Sequence, residues 1–152
     1  MTTRQEVCDE ARSWLRTPYH HGAGLRGIGA DCARYPLAVY TAVGAIPETD
    51  VGQYPHDWHL HRSEELYLAW VRRFGDQIGE KPRDTQEVIG AMPSPGDFII
   101  WKWGRTYSHG AIYLGEGVVI HSAIDVGVST DDMWQHEELR TRAALYFSIR
   151  GL

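Results

Sequence analysis

The turn Pro93-Ser94-Pro95-Gly96 separates two stretches of different hydrophobic period, and no other feature constrains the fold as much. Ahead of it, apolar residues recur at helical spacing. After it come short β-branched or aromatic runs at 97–103, 107–114, 118–123 and 144–150, split by glycines. Helices first and strands afterwards predict an α+β domain with an antiparallel sheet. A chain of 152 residues has the size of one domain, so 1–152 is expected to form a single unit that buries its own core.

The first helix is expected over Thr3 to Leu15, with a Thr3/Glu6 capping box and Val7, Ala11, Trp14 and Leu15 on one face. Cys8 lies beside that face and reads as structural. Four glycines (22, 24, 27, 29) then lead to Asp31-Cys32. A second helix is expected from Cys32 to near Gly44. Proline is tolerated in a first turn but not deeper, so Pro36 assigns residues 33–36 to that turn and leaves Cys32 at the helix N-terminus. Residues 45–62 and 76–96 read as loops. Between them Ser63 should cap a third helix ending near Phe74, with Glu64 and Glu65 at its start, Arg72 and Arg73 at its end and Gly75 as its stop.

A formal net charge of -5 argues against nucleic acid or an anionic membrane surface as partner. No apolar run approaches the ~18 residues of a membrane span, and the charged N-terminus has no signal-peptide pattern. Two cysteines, Cys8 and Cys32, are too few for a disulfide framework.

Cys32 is the candidate nucleophile. Only a thiolate attacks well, and a helix N-terminus or a neighbouring histidine favours that form. Taken alone, the position fits a catalytic and a buried structural cysteine equally. The candidate base lies on the hairpin from Ser108 to Ser122. If Gly115 to Gly117 form a three-residue loop, Leu114 pairs with Val118 and Ala111 with His121. His109 then shares a face with His121 on the diagonal, where His121 could orient it. A two-residue loop would reverse the parity and put the histidines on opposite faces. Two unrelated strand histidines remain the other reading of the spacing.

Several short motifs resemble the NlpC/P60 peptidases, in that family's order, over residues 5 to about 124. Gly29-Ala30-Asp31-Cys32-Ala33 resembles the segment around their nucleophile, and Thr17-Pro18-Tyr19 the Thr-Pro-Tyr ahead of it. Pro95-Gly96-Asp97-Phe98 is similar to their Pro-Gly-Asp strand start. Ser108-His109-Gly110-Ala111-Ile112-Tyr113-Leu114-Gly115 is similar to their histidine strand, and Ile120-His121-Ser122 to the strand of their third catalytic residue. The resemblance implies a papain-like α+β core and a Cys32-His109-His121 triad with no metal or cofactor. It also implies hydrolysis of peptidoglycan stem peptides, and Tyr19, Asp31 and Ser108 lining the pocket for the stem peptide's free N-terminal residue. An Asp31 carboxylate there would pair with an ammonium group; by its position it also reads as a helix cap.

One departure stands beside the nucleophile: Arg34 occupies the place of the family's glycine, followed by Tyr35 and Pro36. It favours a rival reading, a structural component that keeps the fold without catalysis. An amidase or acyltransferase on the same core is a second rival. His56, His59 and His61 match no common metal-ligand spacing and read as loop histidines. Residues 54–62 resemble NlpC/P60 proteins of phage tails. This implies a virion tail-tip location, delivery without a signal peptide, and other tail or baseplate proteins as partners. The loops 45–62 and 76–96, with Tyr54, Trp58 and Met92 as apolar anchors, are the expected contact regions.

Overall fold

The computed structural model describes residues 1–54 and 65–152. Helix α1 (Arg4–Ser13) starts at the expected capping box. The Glu6 N–H donates to Thr3 Oγ1 at 3.1 Å, and the Thr3 N–H donates to Glu6 Oε2 at 2.7 Å. Its buried side is Val7, Cys8 and Ala11 followed by Trp14, whereas Leu15 is exposed, because the helix stops at Ser13 and the chain turns away. Helix α2 (Arg34–Ala42) carries Pro36 in its first turn, where no intrahelical N–H is lost. The Tyr35 hydroxyl donates to Ala11 O at 2.8 Å and ties α2 to α1.

Helix α3 (Leu66–Phe74) ends at Gly75 as expected, but no loop follows. Gly75 is extended and opens β3 (Gly75–Lys81), which pairs with β4 (Ile89–Gly90) on one side. The expected loop 76–96 is therefore partly sheet. Ser63 and Glu64, the expected cap and its neighbour, lie outside the described residues.

The main sheet adds β5 (Phe98–Trp103), β6 (Thr106–Gly115), β7 (Val118–Ala123), β8 (Gly127–Asp132) and β9 (Ala144–Ile149). Its order is β4-β3-β9-β5-β6-β7-β8, antiparallel throughout. A two-stranded piece, β1 (Gly24–Leu25) with β2 (Gly29–Ala30), stands apart. A short helix α4 (Glu137–Thr141) links β8 to β9.

Phe98, Ile100, Ile112, Ile120 and Phe147 pack under α1, α2 and α3. Ile99, Trp101, Ala111, Val119 and Tyr146 point to the opposite face, where Leu139 of α4 and Met133 cover them. Burial on both faces explains why Phe98-Ile99-Ile100-Trp101 is apolar without alternation.

The β6–β7 turn reaches the expected parity by another route, with Gly115 rather than Leu114 opposite Val118. Glu116 and Gly117, at φ 52° and 79°, form a two-residue turn, and a bulge between Tyr113 and Gly115 supplies the odd residue. Ile112 pairs with Ile120, so His109 and His121 lie on the same face. The family-like Pro-Gly-Asp turn has its own lock. Buried Asp97 accepts from the Ser94 N–H at 2.8 Å and from Arg4 Nη1 at 2.7 Å, fastening the start of β5 to α1.

Candidate active site

The segment 17–19 and the β1–β2 piece are fastened to β7 and β8 by hydrogen bonds. Val128 N–H donates to Thr17 O at 2.8 Å, and Ala30 N–H to Pro18 O at 2.9 Å. The Ser122 hydroxyl donates to Ala30 O at 2.6 Å. These bonds bring the chain ahead of the cysteine against the histidine strands.

Asp31 then organises the turn into α2. Its Oδ1 accepts from the Ala33 and Arg34 N–H groups at 3.1 and 2.7 Å. Its Oδ2 accepts from the Gly22 N–H at 2.8 Å and the Tyr54 hydroxyl at 2.5 Å. The buried carboxylate is thus a helix cap with four donors. Tyr54, expected as a contact anchor, is turned inward to this carboxylate and packs against the rings of His21 and Trp70. Arg34 turns the same way: its guanidinium donates to Gly52 O and lies 5.5 Å from the Tyr54 ring centroid.

Cys32 sits in the turn just before α2, with its backbone carbonyl accepting from the Tyr67 hydroxyl at 2.7 Å. That hydroxyl also sets the side chain allowed at residue 110. A Cβ on Gly110 would meet Tyr67 Oη at 2.2 Å and Phe98 Cζ at 2.3 Å, so only glycine lets β6 approach this closely. The Cys32 thiol donates to Ser108 O at 3.3 Å.

Cys32, His109, His121, Tyr19 and Ser108 line one cleft of about 310 Å3, together with Trp103, His136 and Glu138. Burial pushes the Cys32 thiol up to about 12, and Asp31 adds to this. The backbone N–H groups of Cys32 and Gly110 pull the other way and lose. The expectation of a thiol acidified by the helix terminus is therefore corrected: at rest it is a protonated S–H, consistent with its donation to Ser108. His109 is held well below its ordinary value by burial first, then by His121, His136 and Arg142, so it is neutral.

The two histidines meet directly, His109 Nε2 to His121 Nδ1 at 2.7 Å, and His121 Nε2 meets Asp131 Oδ2 at 2.7 Å. Sequence reasoning misses Asp131. It lies diagonally across β7–β8 from His121, since Val119 pairs with Asp131 and His121 with Ser129. The run Thr130-Asp131-Asp132 is the only trace of it in the sequence. Its carboxyl is held below the usual range chiefly by the hydrogen bond from His121. An ionised Asp131 only accepts, so His121 carries its proton on Nε2 and accepts at Nδ1. His109 therefore donates from Nε2, which leaves its Nδ1 as a basic lone pair.

The sequence profile of the NlpC/P60 family matches residues 16–143. The chain belongs to the NlpC/P60 family. Its fold resembles the NlpC/p60 domain of the peptidoglycan hydrolase SagA at 20% identity and a TM-score of 0.60, over 94% of this chain and 97% of that one. It also resembles the peptidoglycan hydrolase RipB from Mycobacterium tuberculosis at 18% identity and a TM-score of 0.60, over 98% of this chain and 65% of that one. An NlpC/P60 family protein from Bacillus cereus matches at 19% identity and a TM-score of 0.59, over 95% of this chain and 40% of that one. The chain thus spans nearly the whole SagA domain but only part of the other two chains. No curated protein sequence matches it significantly. Membership accounts for the papain-like arrangement of helices on an antiparallel sheet.

The histidines of the 54–62 stretch, His56, His59 and His61, and its Trp58, lie outside the described residues. Among the described residues no cluster of His, Cys, Asp and Glu has metal-binding geometry, and no helix is long and apolar enough to cross a membrane.

Proposed function

We propose that this chain is a cysteine peptidase that hydrolyses a peptide bond in peptidoglycan stem peptides, with Cys32 as nucleophile, His109 as base and His121 as the group that orients it. The observation that carries this reading is the bonded series His109–His121–Asp131, which leaves His109 Nδ1 as a base in the cleft that also holds the thiol. When substrate enters, the S–H proton passes to Nδ1 and sulfur attacks the carbonyl carbon. The oxyanion needs donors, and the Cys32 N–H is the natural one. The His109 imidazolium, steadied through His121 by Asp131, protonates the departing amine. His109 then deprotonates the water that hydrolyses the thioester.

Arg34 turned toward Gly52 and Tyr54 supports an active enzyme over a silent structural component, because it leaves the cleft clear. The test is digestion of purified sacculi by the wild type and Cys32→Ala, with identification of the new termini. A cut inside the stem peptide that Cys32→Ala fails to make supports the proposal. A cut at the sugar link favours the amidase reading, and no products favour the structural one.

We assign this peptidase to a virion tail tip, with other tail or baseplate proteins as partners, on the resemblance of residues 54–62 to tail proteins of the family. Mass spectrometry of purified particles tests the assignment; absence of the chain from them overturns it.

A further inference from the structure

Trp103 forms one wall of the active cleft. Its indole is flanked by the His109 ring, 5.2 Å away between centroids, and by the Arg142 guanidinium, 3.6 Å from the ring centroid. The same Arg142 lines a second cavity of about 610 Å3, together with Arg83, Asp84, Lys102, Tyr107 and Thr141 among others. Three of these side chains are cationic. Asp84 is the one carboxylate among the described lining residues, and it is spent on Arg83 at 3.3 Å. In a chain of net charge -5, such an excess of cations beside the cleft points to an anionic ligand.

Arg142 is stacked on Trp103 and makes a single long hydrogen bond. Its Nη1 reaches Lys102 O only at 3.4 Å, its Nη2 is 3.9 Å from Glu138 Oε2, and its buried Nε–H has no acceptor among the described residues. A planar fork of donors in that state suits a carboxylate, which accepts two parallel bonds. Its guanidinium carbon lies no more than about 9 Å from the His109 ring, the reach of two to three extended residues.

We propose that this cavity is the leaving-group-side subsite of the peptidase and takes the free C-terminal carboxylate of a stem that ends about two residues past the cut bond. The enzyme would thereby prefer stems whose terminal carboxylate is free over stems capped by cross-linking. This inference rests on the proposed peptidase reading for its substrate, and its test is binding rather than turnover.

The full chain carrying Cys32→Ala is titrated calorimetrically at low salt with lysyl-D-alanine as the free acid and as the C-terminal amide. The acid is expected to bind at least about tenfold more tightly, the ordinary advantage of charge-assisted hydrogen bonds. Adding Arg142→Gln, which removes the fork, and Lys102→Met should bring the acid to the affinity of the amide. Equal binding or no binding of both forms, or an acid affinity untouched by those two substitutions, overturns the subsite. Inorganic phosphate competing as well as the acid would overturn it as a peptide site. Acid preference in a protein whose wild type leaves sacculi intact would sustain the subsite while removing the peptidase reading.

Discussion

Replacing Asp131 by Asn tests the proton relay at its far end, away from both thiol and base. The substitution keeps the shape of the side chain and removes the charge that fixes His121 with its proton on Nε2. The bond at issue is 2.7 Å long, and a third of the Asp131 side chain (33%) remains in contact with water. That exposure places its worth at the lower end of bonds to charged groups, about 1.5 kcal/mol, because solvent screens the charge. Felt in the transition state, where His109 becomes imidazolium, this is a fall in kcat/KM of roughly tenfold. The sign of the pH effect is a stricter test. Losing a nearby negative charge disfavours imidazolium, so the acid limb of kcat/KM, set by His109 in the free enzyme, should move to lower pH. The assay is hydrolysis of a synthetic stem peptide across pH, with thermal melting to show that the variant is folded. A folded variant with wild-type kcat/KM, or an acid limb displaced upward, would refute the relay.

Three further outcomes follow from particular contacts. Gly110→Ala forces a methyl group to within 2.3 Å of Tyr67 Oη and Phe98 Cζ, so it should cost about 1–3 kcal/mol or more in denaturant unfolding. In a Cys8→Ala background, Cys32 should react slowly with iodoacetamide at neutral pH and speed up toward a limit far above pH 9, since burial pushes its thiol up to about 12; a plateau below pH 8 would contradict the protonated resting state. His109 and Asp131 both have folded values below their ordinary 6.5 and 3.8, so the unfolded chain binds more protons. Their stabilisation is complete above those values and is lost as pH falls through them. Melting temperature should therefore decline first below about pH 6.5 and again below about pH 4, and His109→Gln should remove the first decline.

Local chemistry makes a large part of this protein legible in its sequence. A capping box needs only Thr3 and Glu6, and Pro36 is admissible only in a first turn, so α1 and α2 can be read from neighbouring residues. The β6–β7 parity is readable too, because a period of two leaves one that buries both strands, although a bulge rather than a longer loop supplies it. What stays hidden depends on distant segments. Strand β3, Gly75-Asp76-Gln77-Ile78-Gly79-Glu80-Lys81, has weak strand propensity and forms because β9 offers it a ladder to pair with. Two of the four donors to Asp31, the Gly22 N–H and the Tyr54 hydroxyl, come from segments that its sequence neighbours do not specify. Asp131 joins the histidines through a cross-strand diagonal, and Trp103 comes to lie between His109 and Arg142 only when α4 closes over the sheet. The state of the thiol follows the same division: a helix start favours thiolate, but the burial that overrides it is a property of the packed fold. By itself the sequence determined which groups could react and which elements carry them; packing determined which groups meet, since proximity and desolvation exist only once remote segments share one interior.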